Sequence, residues 1–211
     1  MKPLLRSLAF ACCAAALAAC SVLPDKPVRA TQYDFGPGAV AVAPLPAAPL
    51  PPVVLADIDT TSTWDGAALL YRLGYADGHQ LRPYAQARWS APAPQLIRQR
   101  LREQLARQRP VLEPAEGAAL ARAAGAMPRV LRLQLEEFSH WFETPSDSWG
   151  LLRLRVTLTE NTPAGERLLA QRSVAVRRPA PSADAPGGVR ALAAATDAAA
   201  EEIASWLQQQ P

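Results

Sequence analysis

Cysteine, histidine and lysine are all scarce in this chain, and their scarcity removes several kinds of chemistry at the outset. The three cysteines, Cys12, Cys13 and Cys20, lie within the first twenty residues, so from Ser21 onward there is no thiol to close a disulfide or ligate zinc. His79 and His140 are the only imidazoles, and both are expected to be half-exposed. No serine sits in a Gly-x-Ser-x-Gly elbow, and neither a His-x-x-x-His pair nor an Asp-rich loop occurs. The nucleophile, base and orienting group of a hydrolase are therefore missing, as is the donor set of a metal site. Gly36-Pro37-Gly38 and Gly187-Gly188 lack the spacing and the lysine of a phosphate cradle. The chain is expected to be non-enzymatic, without metal and without a dissociable cofactor.

A long apolar run is also absent. Leu8 to Ala19 is apolar over about a dozen residues, short of the roughly 20 that span a bilayer. Preceded by Lys2 and Arg6 and closed by small side chains, it has the three-part layout of a secretory signal peptide. Leu17-Ala18-Ala19-Cys20 resembles the lipobox of bacterial lipoproteins, in which the cysteine thiol is diacylated, the leader is cut ahead of it and the new amino group is acylated. The resemblance implies a signal peptide over 1–19 and a covalent lipid, palmitate among its acyl chains, on Cys20. Several acyl chains anchor a protein stably where one does not. The following residue sorts Gram-negative lipoproteins between membranes; Ser21, in place of aspartate, implies the periplasmic face of the outer membrane. Of the 22 Lys+Arg, Lys2 and Arg6 leave with the leader, so 20 remain against 19 Asp+Glu. Such a balance gives no nucleic-acid footprint.

Residues 20–30, with Pro24 and Pro27, read as a lipidated N-terminus and flexible tether, and 31–211 as a single domain. Thr31 to Phe35 alternates as a short first strand, and six prolines between 36 and 52 make a Pro/Ala-rich loop. Val53 to Ile58 reads as a buried strand ending in the turn formers Asp59 to Ser62. Ala67–Leu73 and Gln80–Tyr84 flank Asp77-Gly78 as a hairpin, with Pro83 placing the second strand at an edge or at its own end.

Leu96, Ile97, Leu101 and Leu105 then recur at helical spacing, which predicts a helix over 93–108 with Ser90 as its N-cap. Glu116–Gly125 is a second, shorter helix with Gly125 as its cap. Leu131, Leu133 and Leu135 alternate until Glu136-Glu137, where the phase slips; a β-bulge there would keep Phe138 on the same face. Leu152 to Leu158 alternates with Arg153 and Arg155, a strand with one wet face, and Leu168–Val176 follows after a turn at 161–165. A final helix carries Val189, Leu192, Thr196, Ala199, Ile203, Trp206 and Leu207 on one stripe. The predicted class is α+β, one mostly antiparallel or mixed sheet with two main helices on one face.

Of the five tryptophans, Trp206 reads as core. Trp149, in a loop beside Asp147 and Ser148, is a candidate for contact with a partner or a membrane interface.

The order of elements resembles the ABC-type transport auxiliary lipoprotein family, which includes paraquat-inducible protein C. The residues that carry the resemblance are the lipobox, Tyr33-x-Phe35, Leu70-Tyr71-Arg72, Tyr84, Trp89, a Pro-flanked amphipathic helix and the closing Ile203-Ala204-Ser205-Trp206-Leu207. The resemblance implies a non-enzymatic outer-membrane lipoprotein. Its partners would be an MCE-domain periplasmic protein, which it docks or stabilises, and the associated ABC transporter, in a system moving phospholipid or another hydrophobic solute between membranes. Tyr71, Arg72, Tyr84 and Trp89 match the family pattern, with packing as the alternative role of each, and no catalytic residue carries over. The insert at 36–52 departs from the pattern. A stand-alone lipid-carrying or envelope-assembly lipoprotein is the other reading, and it requires an apolar cavity of at least several hundred Å³.

Overall fold

The computed structural model describes residues 29–38, 50–124, 128–162 and 164–210. The leader, Cys20, Ser21, most of the tether, residues 39–49 of the Pro/Ala loop and the Gly125 cap lie outside the described residues. The elements follow in the order β1 (Thr31–Tyr33), β2 (Val53–Thr60), β3 (Ala68–Leu73), α1 (Gly74–Asp77), β4 (Gly78–Trp89), α2 (Ala93–Leu105), β5 (Val111–Leu112), α3 (Pro114–Ala124), β6 (Arg129–Phe142), β7 (Ser148–Thr162), β8 (Gly165–Pro179) and α4 (Ala185–Gln208). This is an α+β fold built on one mixed sheet.

β6 is the spine of that sheet. Antiparallel β7 lies along one of its edges, and β8 extends the sheet beyond β7. The other edge is shared end to end by two parallel neighbours, β2 against Arg129–Leu135 and β3 against His140–Phe142. β5 then adds to β2, while β4 and β1 add to β3.

Side-chain alternation explains which face is covered. Leu131, Leu133 and Leu135 of β6 are buried, as are Leu152, Leu154, Val156 and Leu158 of β7, whereas Arg132, Gln134, Arg153 and Arg155 are exposed. The bulge expected at Glu136-Glu137 is present as a register break between Leu135 and Glu137. It returns Phe138, His140 and Phe142 to the covered face, which a continuous ladder would have turned away. The two main helices lie on that face, α4 over β7 and β8 and α2 over β2, and they pack against each other. α3 covers β2 from the other side: Gly117 meets Val54, whose neighbours Val53 and Leu55 point into the main core.

Several local expectations are corrected. Ser90 does not cap α2; its amide donates to the Tyr33 carbonyl at 2.7 Å and prolongs the β1 pairing, so the helix starts from Pro92 with Pro94 in its first turn. α2 ends at Leu105, and the amides of Arg107 and Gln108 bond three residues back, at 3.4 and 3.0 Å, in a tightened last turn. Asp59 and Thr60 continue β2 alongside Gln134 and Leu135 instead of turning. The β3–β4 hairpin is present, but the single helical turn α1 joins it, and Asp77 Oδ1 accepts the His79 amide at 2.9 Å. Pro83 lies within β4 opposite Leu70 of β3, beyond the three residues that β1 covers, so the other side of β4 is an edge at that point, as the proline implies.

Helix α4 sits very close to the sheet at Gly150, the β7 partner of His140. A methyl group on Gly150 would lie 2.6 Å from the Leu192 amide nitrogen, inside helical backbone that cannot rotate away. Gly150→Ala is therefore expected to destabilise the fold by about 1–3 kcal/mol in urea unfolding. Gly66→Ala, where the nearest atom is 3.9 Å away, should stay within about 0.5 kcal/mol of the parent. Equal stability of the two variants would contradict the seating of α4 on Gly150.

Candidate functional site

The residues singled out by the sequence do not converge on one spot; β3, β4 and β6 distribute them over both faces of the sheet and its interior. Tyr71 and Tyr84 lie on the covered face, with ring centroids 4.7 Å apart, and Tyr84 stacks beside His140. The Tyr84 hydroxyl is 2.8 Å from His140 Nδ1. Burial, reinforced by Tyr71 and then Asp184, pushes the Tyr84 phenol well above its ordinary range, so it remains protonated and shares a hydrogen bond with Nδ1 whose direction the imidazole tautomer sets. Nε2 of the imidazole has no hydrogen-bond partner among the described residues.

His140 is 0% exposed, contrary to the half-exposed position expected for it. Its even-numbered phase after the bulge turns it inward, and Gly188 of α4 lies directly on the ring. Burial lowers its pKa to about 4, against an opposing pull from Asp184. That carboxylate caps α4, accepting from Ser182 Oγ at 2.6 Å and from the Gly187 amide at 2.7 Å, and these bonds hold its own pKa below the usual range. Packed among Tyr84, Phe142 and Gly188, the imidazole is half of a buried hydrogen-bonded pair. His79, by contrast, is exposed on β4.

Arg72 occupies the opposite face. Its guanidinium makes a two-pronged bond to Glu137, Nε to Oε1 at 3.2 Å and Nη2 to Oε2 at 3.1 Å, and Nη1 reaches the Gly78 carbonyl at 3.2 Å. The ion pair thus ties β3 to β6 and to the start of β4. Glu137 is a partner the sequence reading had seen only as a break in phase. Trp89 belongs to the interior, with Phe35 and Phe138 around it at 5.4 and 5.7 Å. Trp206 is likewise in the core.

Trp149 lies in β7, not in the loop expected for it, and pairs with Trp141 across the outer face. The Arg177 guanidinium sits 4.8 Å from the Trp149 ring centre. Glu143 accepts from Trp141 Nε1 at 3.2 Å and pairs with Arg177 at 3.4 Å. Gly74 and Gly78 close over the Trp141 ring, leaving Tyr75 48% exposed beside it. This outer corner bears both aromatic and charged groups, a combination suited to binding. The sequence signal for it was available in the parity of Trp141 and Trp149, which face each other only once the hairpin register is known. Among the described residues no group of three His, Cys, Asp or Glu side chains could hold a metal, and no helix is long and apolar enough to cross a membrane.

The profile of the family described as "ABC-type transport auxiliary lipoprotein component" matches residues 33–204. Among solved structures the chain is similar to a Xanthomonas campestris protein of family DUF330, at 20% identity and TM-score 0.66, covering 84% of this chain and 94% of that one. It is also similar to an uncharacterized protein at 14% identity and TM-score 0.61, covering 85% and 99%. A hypothetical protein from Chlamydia trachomatis aligns at 9% identity and TM-score 0.49, over 75% and 95%. At these identities the first two likenesses show the fold alone. No curated protein matches the sequence.

The buried imidazole makes stability depend on pH. Unfolded, His140 titrates near 6.5; folded, at about 4. Between these values the unfolded chain binds the proton and the folded chain does not, so stability is fully present above pH 6.5 and falls on acidification to pH 4. The loss attributable to His140 is at most about 3 kcal/mol. His140→Gln, which keeps an acceptor for Tyr84, should flatten the stability profile between pH 6.5 and 4 while leaving the carboxylate-driven loss at lower pH. Identical slopes for parent and variant in that window would refute this.

Proposed function

Because the chain belongs to the family of ABC-type transport auxiliary lipoprotein components, we propose that it is a non-enzymatic accessory of an MCE/ABC-type intermembrane transport system. In this reading it is held at the periplasmic face of the outer membrane by lipid on Cys20 and docks or stabilises the periplasmic MCE-domain protein. The observation that carries the reading is the family match over 33–204, which takes in every strand of the sheet except β1, whose last residue alone it reaches, and all but the last turn of α4. The lipobox ahead of it supplies the attachment. Membership supports a place in the cell envelope and association with an ABC transport system.

The geometry favours docking over carriage. The apolar sheet face that would line a lipid cavity is covered by α2 and α4 and filled by leucine and alanine side chains. A described cleft of about 210 Å³ between the end of β1 and α2 is lined by Phe35, Ala91 and Leu96 but also by Asp34, Arg100 and Glu103, a small and mixed site for acyl chains. The aromatic corner around Trp149, Trp141 and Arg177, where Tyr75 is exposed and the two tryptophans are half-buried, is the surface we assign to the MCE-domain partner, since aromatics with an arginine are the residues that anchor protein interfaces. Tyr71, Arg72, Tyr84 and Trp89 act behind it by fixing β3 and β4 against β6.

The test is purification of the tagged full chain from membranes in mild detergent, with co-purifying proteins identified by mass spectrometry. An MCE-domain protein is expected with the wild type, reduced at least tenfold with Cys20→Ala, which loses the membrane, and with Trp149→Ala, which stays on it. Recovery of the wild type with bound phospholipid and no MCE or ABC component would overturn the accessory reading.

A further inference from the structure

Two exposed arginines, Arg29 and Arg88, lie together at the β1 corner of the sheet. On the far ribbon Arg132, Arg153, Arg155, Arg167, Arg172 and Arg177 each pair with a glutamate. Arg29 and Arg88, both exposed, have no carboxylate within ion-pair distance among the described residues. The parallel register places Gln32 beside Arg88, and Arg29, Ala30, Gln32 and Arg88 together line an open cleft of about 450 Å³.

We propose that this cleft is a membrane-contact surface that seats the phosphate groups of an anionic phospholipid bilayer. A guanidinium fork matches a phosphate in shape as well as charge, and the Gln32 amide adds a neutral donor. The place of the cleft along the chain selects a membrane as its occupant. Arg29 follows Cys20 by nine residues, a span of at most ~30 Å, so a lipid on Cys20 keeps the two arginines within reach of the headgroups. The acyl chains then supply attachment, and the arginines supply orientation: they turn the β1 edge toward the bilayer and leave the α4 side and the far ribbon facing away. This inference rests on the reading of Cys20 as acylated.

The test uses the mature chain from residue 20 carrying Cys20→Ser, which retains every described element, sedimented with vesicles of phosphatidylcholine alone or mixed with phosphatidylglycerol. Binding is expected only to the mixed vesicles and should fade as salt is raised. Arg29→Gln and Arg88→Gln should each weaken it about fivefold, and the pair roughly 25-fold. Arg107→Gln with Arg178→Gln removes the same charge elsewhere and should leave binding unchanged. Equal binding to both vesicle types, insensitivity to salt, an unaffected double variant, or an equal loss in the Arg107/Arg178 pair would each overturn the proposal. So would saturable binding of inorganic phosphate that displaces the vesicles, which would mark a site for the free anion. The intact mass of the full chain extracted from membranes tests acylation of Cys20 separately, so failure of the anchor and failure of the surface are told apart.

Discussion

The break in register between Leu135 and Glu137 is the feature on which the rest of the structure depends. β6 must serve two different neighbours along one edge, β2 at its start and β3 at its end. It must also keep a single apolar face along 14 residues. A strand without a bulge satisfies the second need only if its sequence alternates throughout, and this one does not. The extra residue places Glu136 and Glu137 together on the wet face, where Glu136 meets Arg153 and Arg155 and Glu137 meets Arg72. The same residue turns Phe138 and His140 inward. One backbone irregularity thus decides both the ion pairs outside and the aromatic cluster inside.

The two sides of the sheet follow different physics. On the covered face, stability comes from burying leucine, valine and alanine under α2 and α4, at about 25 cal/mol per Å² of apolar surface removed from water. Close seating of α4 requires small residues at the contact, and Gly150 and Gly188 provide them on either side of His140. On the outer face the arginine and glutamate ladder holds solvent and adds little, since exposed pairs contribute at most about 1 kcal/mol each. Arg72 and Glu137 are the exception. At 17% and 12% side-chain exposure they are nearly withdrawn from water, and their two-pronged geometry fixes the strands that carry Tyr71 and Tyr84.

Much of this was legible in the sequence where local pattern and tertiary need coincide. The wet-face alternation of Leu152 to Leu158, the stripe of the last helix and the phase slip at Glu136 all read through, because each is a period that burial enforces. What escaped was set by neighbours distant in sequence. Ser90 has the side chain of an N-cap, yet its amide is taken by Tyr33. His140 looks like any polar residue in a strand, and only the bulge upstream decides that it faces α4. Trp149 reads as loop beside Asp147 and Ser148, whereas β6 and β8 pair on either side of it and hold it as strand. The division of Tyr71, Arg72, Tyr84 and Trp89 among core, inner cluster and outer ion pair could not be read without the register of β3 on β6.

The shared edge of β6 also sets an order of assembly. Val53 pairs with Arg129 and Tyr71 with His140, so both N-terminal strands wait for partners about seventy residues downstream. Contacts at such separation are the slow ones, since a long loop must close before they form. The meander of β6, β7 and β8 has only short turns to close and can form from its own local contacts. Since synthesis proceeds from the N-terminus, the first half of the chain has only the β3–β4 hairpin with β1 and the short β2–β5 contact until β6 is available, and β6 then joins these two pieces into one sheet.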